Sequence, residues 1–140
     1  MRFYSAGNMY LSSIQQGIQA FHCLGEMVRT TIPETDDDYE SGPVVVLSKW
    51  ISEHKTLICL NGGNNFALHN LYTLLSSQDN TGYPVARFYE DDASMAGMLT
   101  CVGIILPEKI YGADLETGDH NLTAWEVEVA TAIKRMHLAR

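Results

Sequence analysis

The sequence predicts an α/β protein: a three-layer α/β/α single domain with a mixed, largely buried four-stranded sheet plus an extra C-terminal helix. Three observations lead there. Short apolar runs suited to strands alternate with longer stretches of helical periodicity, the pattern of a sheet covered by helices. Two of the runs, Thr56 to Leu60 and Thr100 to Leu106, are apolar without alternation, as strands buried on both faces are. The 140 residues, 46% of them hydrophobic, suffice for one core and are short for two.

In chain order, Ile14, Ile18, Phe21, Gly25 and Val28 recur at three- and four-residue spacing, which predicts a core-facing stripe on a helix from Ser12 to Thr30. Ser12 or Ser13 suits its start, and Pro33 ends it. Residues 34–43 follow as an acidic, turn-rich linker whose like charges keep it solvated and without chemistry. Val44 to His54, with Trp50, reads as a second helix, although its valine run also fits a strand. After the Thr56 to Leu60 strand, Asn61-Gly62-Gly63-Asn64-Asn65 marks a turn, and Leu68, Leu71, Tyr72 and Leu75 set the next helix, with Asn65 as its expected cap. Val85 to Tyr89 is a strand leading into the acidic loop Glu90-Asp91-Asp92-Ala93-Ser94, and Pro107 closes the Thr100 to Leu106 strand. A last helix is expected from Ala124 to Leu138, docked on the core or on a second subunit. Thr123 and Glu126 form its capping box, Trp125, Val129, Ile133 and Met136 its stripe, and Lys134, Arg135 and His137 suit the negative end of its dipole.

Charge narrows the partners. Seventeen acidic residues against nine basic ones give a net charge of -8, and the basic residues form no run, so no extended nucleic-acid surface is expected. No window approaches the roughly 18 apolar residues of a membrane span. Cys23, Cys59 and Cys101 sit in apolar stretches without paired spacing and read as reduced core thiols, which with the missing leader segment predicts a cytoplasmic protein that no membrane holds. The five histidines lack ligand spacing beside carboxylates, so neither a metal nor a cofactor is expected. His22 and Cys23 are neighbours on a helix and point in different directions, which argues against a Cys-His nucleophile.

Two stretches carry a family resemblance. In Ile18-Gln19-Ala20-Phe21-His22-Cys23 a glutamine stands three residues before a histidine on one helical face, preceded without a gap by the turn Asn8-Met9-Tyr10-Leu11. Downstream stand Trp50 and the strand pattern Gly97-x-x-Thr100-x-x-Gly103. Over residues 1–111 the chain resembles the peptidyl-tRNA hydrolases of type 2, the archaeal and eukaryotic type, with 112–140 as an added C-terminal loop and helix. Such enzymes cleave the ester joining a peptide to the terminal ribose of tRNA. Their proposed chemistry involves a lysine seven residues before the helix histidine and an aspartate in the loop before the last strand. Gln15 occupies the lysine position, Asn8 that of the turn aspartate and Ala6 that of a basic residue, so three charges are replaced by neutral groups. A glutamine donates hydrogen bonds but relays no proton near neutral pH. Asp91 is the choice for the loop aspartate.

The resemblance thus implies a retained cleft whose reaction is lost or changed. Asn8, Gln15, Gln19, His22, Asn64, Arg87, Asp91 and Thr100 are the expected ligand contacts, and Asp91 with His22 would be the catalytic pair if the protein is a hydrolase. The backbone around Asn64 offers N–H groups to one phosphate, against the simpler reading as a turn. The expected function is non-hydrolytic binding of a small nucleotide-like ligand, or of the 3′ end of tRNA, by a homodimer. By analogy it resembles small acidic phage proteins that sequester host nucleotide immune signals. An active hydrolase, with Arg87 or Lys55 replacing the lost lysine, is the second expectation. A structural or protein-interaction module that dimerises through the C-terminal helix is the third.

Overall fold

Strands β1 (Arg2–Gly7), β2 (Leu57–Asn61), β3 (Val85–Tyr89) and β4 (Leu99–Leu106) form one sheet in the order β2-β1-β4-β3 in a computed structural model. It describes residues 1–34, 42–91 and 97–139. β1 runs parallel to β2 with Phe3 opposite Leu57, and antiparallel to β4 with Phe3 opposite Ile105. β3 pairs antiparallel with β4, with an irregularity between Phe88 and Tyr89. The sheet is therefore mixed. β4 is buried along its whole length, as its unbroken apolar run requires.

Helices cover both faces. On one, α1 (Ser13–Thr31) and α2 (Gly42–Lys49) bring Cys23, Met27 and Leu47 onto Phe3, Ala86, Cys101 and Ile105. On the other, α3 (Asn65–Leu75), the short α4 (Glu108–Tyr111) and α5 (Ala124–Arg135) bring Leu68, Leu75, Ile110, Trp125 and Val129 onto Tyr4, Ala6, Val102 and Ile104. This is the three-layer α/β/α domain the alternation predicts. The C-terminal helix lies on the same core, and the Trp125 indole N–H donates to the Leu74 carbonyl at 2.8 Å.

Four expectations need correction. The largest concerns α1: Ile14, Ile18 and Phe21 point to solvent, while Gln16, Gln19, Ala20, Cys23 and Met27 are buried. The reason is the spacing between helix and sheet. A Cβ on Gly103 would stand 2.4 Å from the Phe3 ring and 3.0 Å from the Cys23 sulfur, and one on Gly7 would stand 2.9 Å from Gln16 Oε1. A helix this close to the sheet accepts small or flat side chains and has no room for an outer row of isoleucine and phenylalanine.

β2 is not buried on both faces: it stands at the edge of the sheet, with Leu57 exposed and Leu60 buried. The valine run is helical, the first of its two expected readings. Pro43 lies in the first turn, where a missing N–H is harmless, and a π-turn over Trp50–His54 continues α2. Lys55 at φ 52° ends it, and the Trp50 indole N–H donates to Thr56 at 3.0 Å. At α3 the cap is Asn64, whose Oδ1 accepts the Ala67 N–H at 3.0 Å, one residue earlier than expected. Finally, α5 stops at Arg135, and the following residues close the outer edge of β2: Asn61 N–H donates to His137 and Ala139 N–H to Cys59. β3 forms the opposite edge. The expected linker at 34–43 falls mostly on residues 35–41, and part of the acidic loop, Asp92 included, on 92–96, both outside the described residues.

The predicted capping box on α5 forms, and Glu126 does more than cap. It accepts from Thr123 N–H at 3.0 Å, Lys109 Nζ at 2.8 Å and the Tyr83 hydroxyl at 3.1 Å. Burial pushes this carboxyl up, but the Lys109 ammonium, the Thr123 N–H and the Tyr83 hydroxyl outweigh it and hold it below the usual carboxylate value. No described helix is long and apolar enough to cross a membrane.

Candidate functional site

β1, β2 and β3 all end on one side of the sheet, where β4 begins and where the N-termini of α1 and α3 lie. In open α/β sheets this is the end at which ligands sit. Chain direction alone therefore brings Asn8, Gln19, Asn64, Glu90 and Thr100 to the same end.

Gln19, Thr100 and Glu90 form a chain of hydrogen bonds there. Gln19 Nε2 donates to Glu90 Oε2 at 2.6 Å, and Gln19 Oε1 accepts from Thr100 Oγ1 at 2.9 Å. The carboxylate fixes the amide orientation, because only the NH₂ can face it. Thr100, fully buried, has one proton and a second acceptor in the Phe88 carbonyl at 3.2 Å. The expected Gln19 and Thr100 thus meet, and their acidic partner is Glu90, while Asp91 is exposed one residue further on.

The other expected contacts hold structural posts. Asn8 is buried, donates from Nδ2 to Leu99 at 3.1 Å and accepts the Tyr10 N–H at 3.1 Å, so it locks the turn after β1. Gln15 is the third residue of α1, and its Oε1 accepts the Ser12 N–H at 2.9 Å in a capping box. The position at which the resemblance leads one to expect a lysine is a helix cap. His22 is exposed with its ring stacked on Phe88, centroids 4.8 Å apart. Asn64 caps α3, while Gly62 N–H and Gly63 N–H go to Gly7 and Asn61, so the turn uses these donors itself.

Among the described residues, the Gln19 cluster is bonded to amide, hydroxyl, carbonyl and carboxylate groups, with no ammonium or guanidinium. Lys55 precedes β2 at the far end of the sheet, and Arg87 faces α3 on the opposite side from Gln19. Neither stands beside the Gln19 cluster. Among the described residues Thr100 donates to Gln19 Oε1 and the Phe88 carbonyl, neither of them a base, and the thiols are no better placed. The adjacent Cys101 thiol and burial push the Cys23 thiol well up, and Cys101 shares a hydrogen bond with Ser5 at 3.0 Å. All three cysteines are free.

A broad cleft lies elsewhere, along β3. It holds about 630 Å³ between Glu26, Arg29, Thr30 and Thr31 of α1, Pro43 of α2, Tyr72 of α3 and the chain from Tyr83 to Tyr89. The Arg87 guanidinium lies 4.3 Å from the centre of the Tyr72 ring and 5.2 Å from that of Tyr89, a cation held against two aromatic faces. Opposite, Arg29 pairs with Glu26 at 2.7 Å. Sequence reading singled out Arg87 but not Arg29, Glu26, Tyr72 or Tyr89, since only tertiary contact joins α1, α3 and the edge strand. The alternation of Arg87 and Tyr89 puts both on one side of the strand, but nothing local shows that they meet Tyr72.

Gln16 was missed as well. It is buried, its Nε2 donates to Leu11 at 3.2 Å, and its Oε1 lacks a partner among the described residues. Gln16 also borders a cavity of about 370 Å³ shared with Met9, Asn61 and His137. No protein-family model matches this chain, and no curated protein matches it.

Proposed function

We propose that this protein binds a small, anionic, nucleotide-like ligand in the cleft along β3 without hydrolysing it. The observation that carries the reading is Arg87, anchored between Tyr72 and Tyr89 in a cleft of about 630 Å³. That volume lies in the range of roughly 300–1,000 Å³ used by small-molecule sites. A guanidinium held on aromatic faces stays charged and oriented toward a phosphate. The Glu26 carboxylate and the Thr30 and Thr31 hydroxyls supply acceptors for the hydroxyl and amino donors of a nucleoside, and Tyr89 offers an aromatic face. A ligand with phosphate, sugar and planar base meets each of these groups. The Gln19 cluster, with its amide and hydroxyl groups already paired and no basic partner, supports positioning of the strand ends better than turnover.

Titration calorimetry with mono-, di- and cyclic nucleotides tests the proposal. Binding is expected for at least one of them, stabilising the fold by about 2.7 kcal/mol at a hundredfold excess over the dissociation constant. Arg87→Gln should weaken it by about 2 kcal/mol, roughly thirtyfold, through loss of a charged hydrogen bond. Gln19→Leu should leave it unchanged. The absence of heat or stabilisation at about 1 mM of every nucleotide overturns the proposal. So does release of tRNA from peptidyl-tRNA that disappears on Glu90→Ala, which would return the chemistry to the Gln19 cluster.

A further inference from the structure

α1 leaves an apolar surface uncovered on its outer side. Tyr10, Ile14, Ile18 and Phe21 are 71, 77, 50 and 75% exposed, and Met9 extends the patch at its N-terminal end. At 100° per residue, positions 14, 18 and 21 share one narrow arc of the helix. Gly17 flanks this arc, about 40° beyond Phe21, and a Cβ there would meet nothing within 4 Å. From Phe3 to Gly25 the chain contains no Asp, Glu, Lys or Arg. A contiguous exposed apolar face of this kind marks an interaction surface.

We infer that this face docks a second copy of the chain, α1 against α1 across a twofold axis. A twofold contact places a surface against itself, so it must be complementary to itself. On a chain of net charge -8, a surface bearing carboxylates would meet its own carboxylates. The neutral stripe on α1 avoids this. Its exposed side chains offer on the order of 500 Å² per copy, and the residues flanking two crossing helices bring the total toward the roughly 800 Å² per partner of a stable interface. An anionic membrane is a poorer occupant: the whole chain is acidic, and the nearest cation on the helix, Arg29, is paired with Glu26. The C-terminal helix does not compete for the role, because Trp125, Val129 and Ile133 are buried in the core of their own chain.

Sedimentation equilibrium of the full chain tests this. The expected result is a reversible dimer whose dissociation constant rises on the order of thirtyfold or more in Phe21→Glu and Ile18→Glu. Phe66→Glu, which changes an equally exposed aromatic on α3, should leave it untouched. Should a glutamate variant fail to fold, Ile18→Cys gives an independent reading, since oxidation should join two copies through the stripe itself. A wild-type chain that stays monomeric at about 1 mM, a dimer indifferent to Phe21→Glu, or no crosslink through Ile18→Cys overturns the inference. Binding of a monomer to phosphatidylcholine vesicles through the same residues also overturns it, in favour of a membrane.

Discussion

The face of α1 turned to the sheet carries Gln16, Gln19, Ala20, Cys23 and Met27, and the face turned to solvent carries Ile14, Ile18 and Phe21. The inner face contains two glutamines and two small residues, yet it is the buried one. The comparison teaches that distance to the sheet selects the face as well as hydrophobicity. Gly7 and Gly103 let the helix approach, Ala20 and Cys23 fit the narrow gap, and the amide N–H groups at positions 16 and 19 find acceptors in it. The outer face is left with bulky apolar side chains that the monomer does not cover.

Several substitutions break or sharpen this contrast. The largest effect belongs to Met27→Ala on the inner face: a fully buried side chain is lost, and chemical denaturation should show about 3 kcal/mol of destabilisation. Gly103→Ala tests the narrow gap itself, because its Cβ meets the Phe3 ring and the Cys23 sulfur. It should cost about 2 kcal/mol, and a neutral result would refute close approach as the reason for the choice of face.

Gln19→Leu should cost about 1 kcal/mol, since Thr100 keeps the Phe88 carbonyl as an acceptor and half-buried Glu90 can turn to water. A gain in stability would show that the inner face retains Gln19 for a function alone. Glu126→Gln should cost about 1 kcal/mol at pH 7 and contrasts a charged network with this neutral one. Its carboxyl is held below the usual value of 4.5, so the stability it contributes is fully present above about pH 4.5 and is lost as pH falls through the lower folded value. Thermal midpoints of the wild type should fall there, and that part of the fall should be missing in the variant. Smallest of all, Ile14→Ser on the outer face should change monomer stability by less than about 0.5 kcal/mol in dilute solution. A large loss there would mean the outer face is covered within the chain.

Much of the fold was readable because its signals are local. The apolar runs at β2 and β4, the capping residues Ser12 and Thr123 and the breaks at Pro33 and Pro107 each act within a few residues. At the Gln19 cluster, the spacing of Gln19 and the position of Thr100 were visible in the same way. The acidic partner was not, since Glu90 and Asp91 are neighbours and the path of the chain leaving β3 decides which one meets Gln19. Asn8, Gln15 and Asn64 carried polar groups of the right kind for binding. Their hydrogen bonds go to nearby backbone, a use that residue type does not distinguish from a ligand contact.

By itself the sequence determined the kinds of elements, their order and the neutral or acidic character of each stretch, because propensity, capping and charge belong to single residues and near neighbours. The tertiary structure alone decided which face of α1 is buried, that Arg87 joins Tyr72 and Arg29 in one cleft, and that the last residues close the edge of β2. These depend on packing distances and strand order between residues far apart in the chain, and no local pattern encodes them.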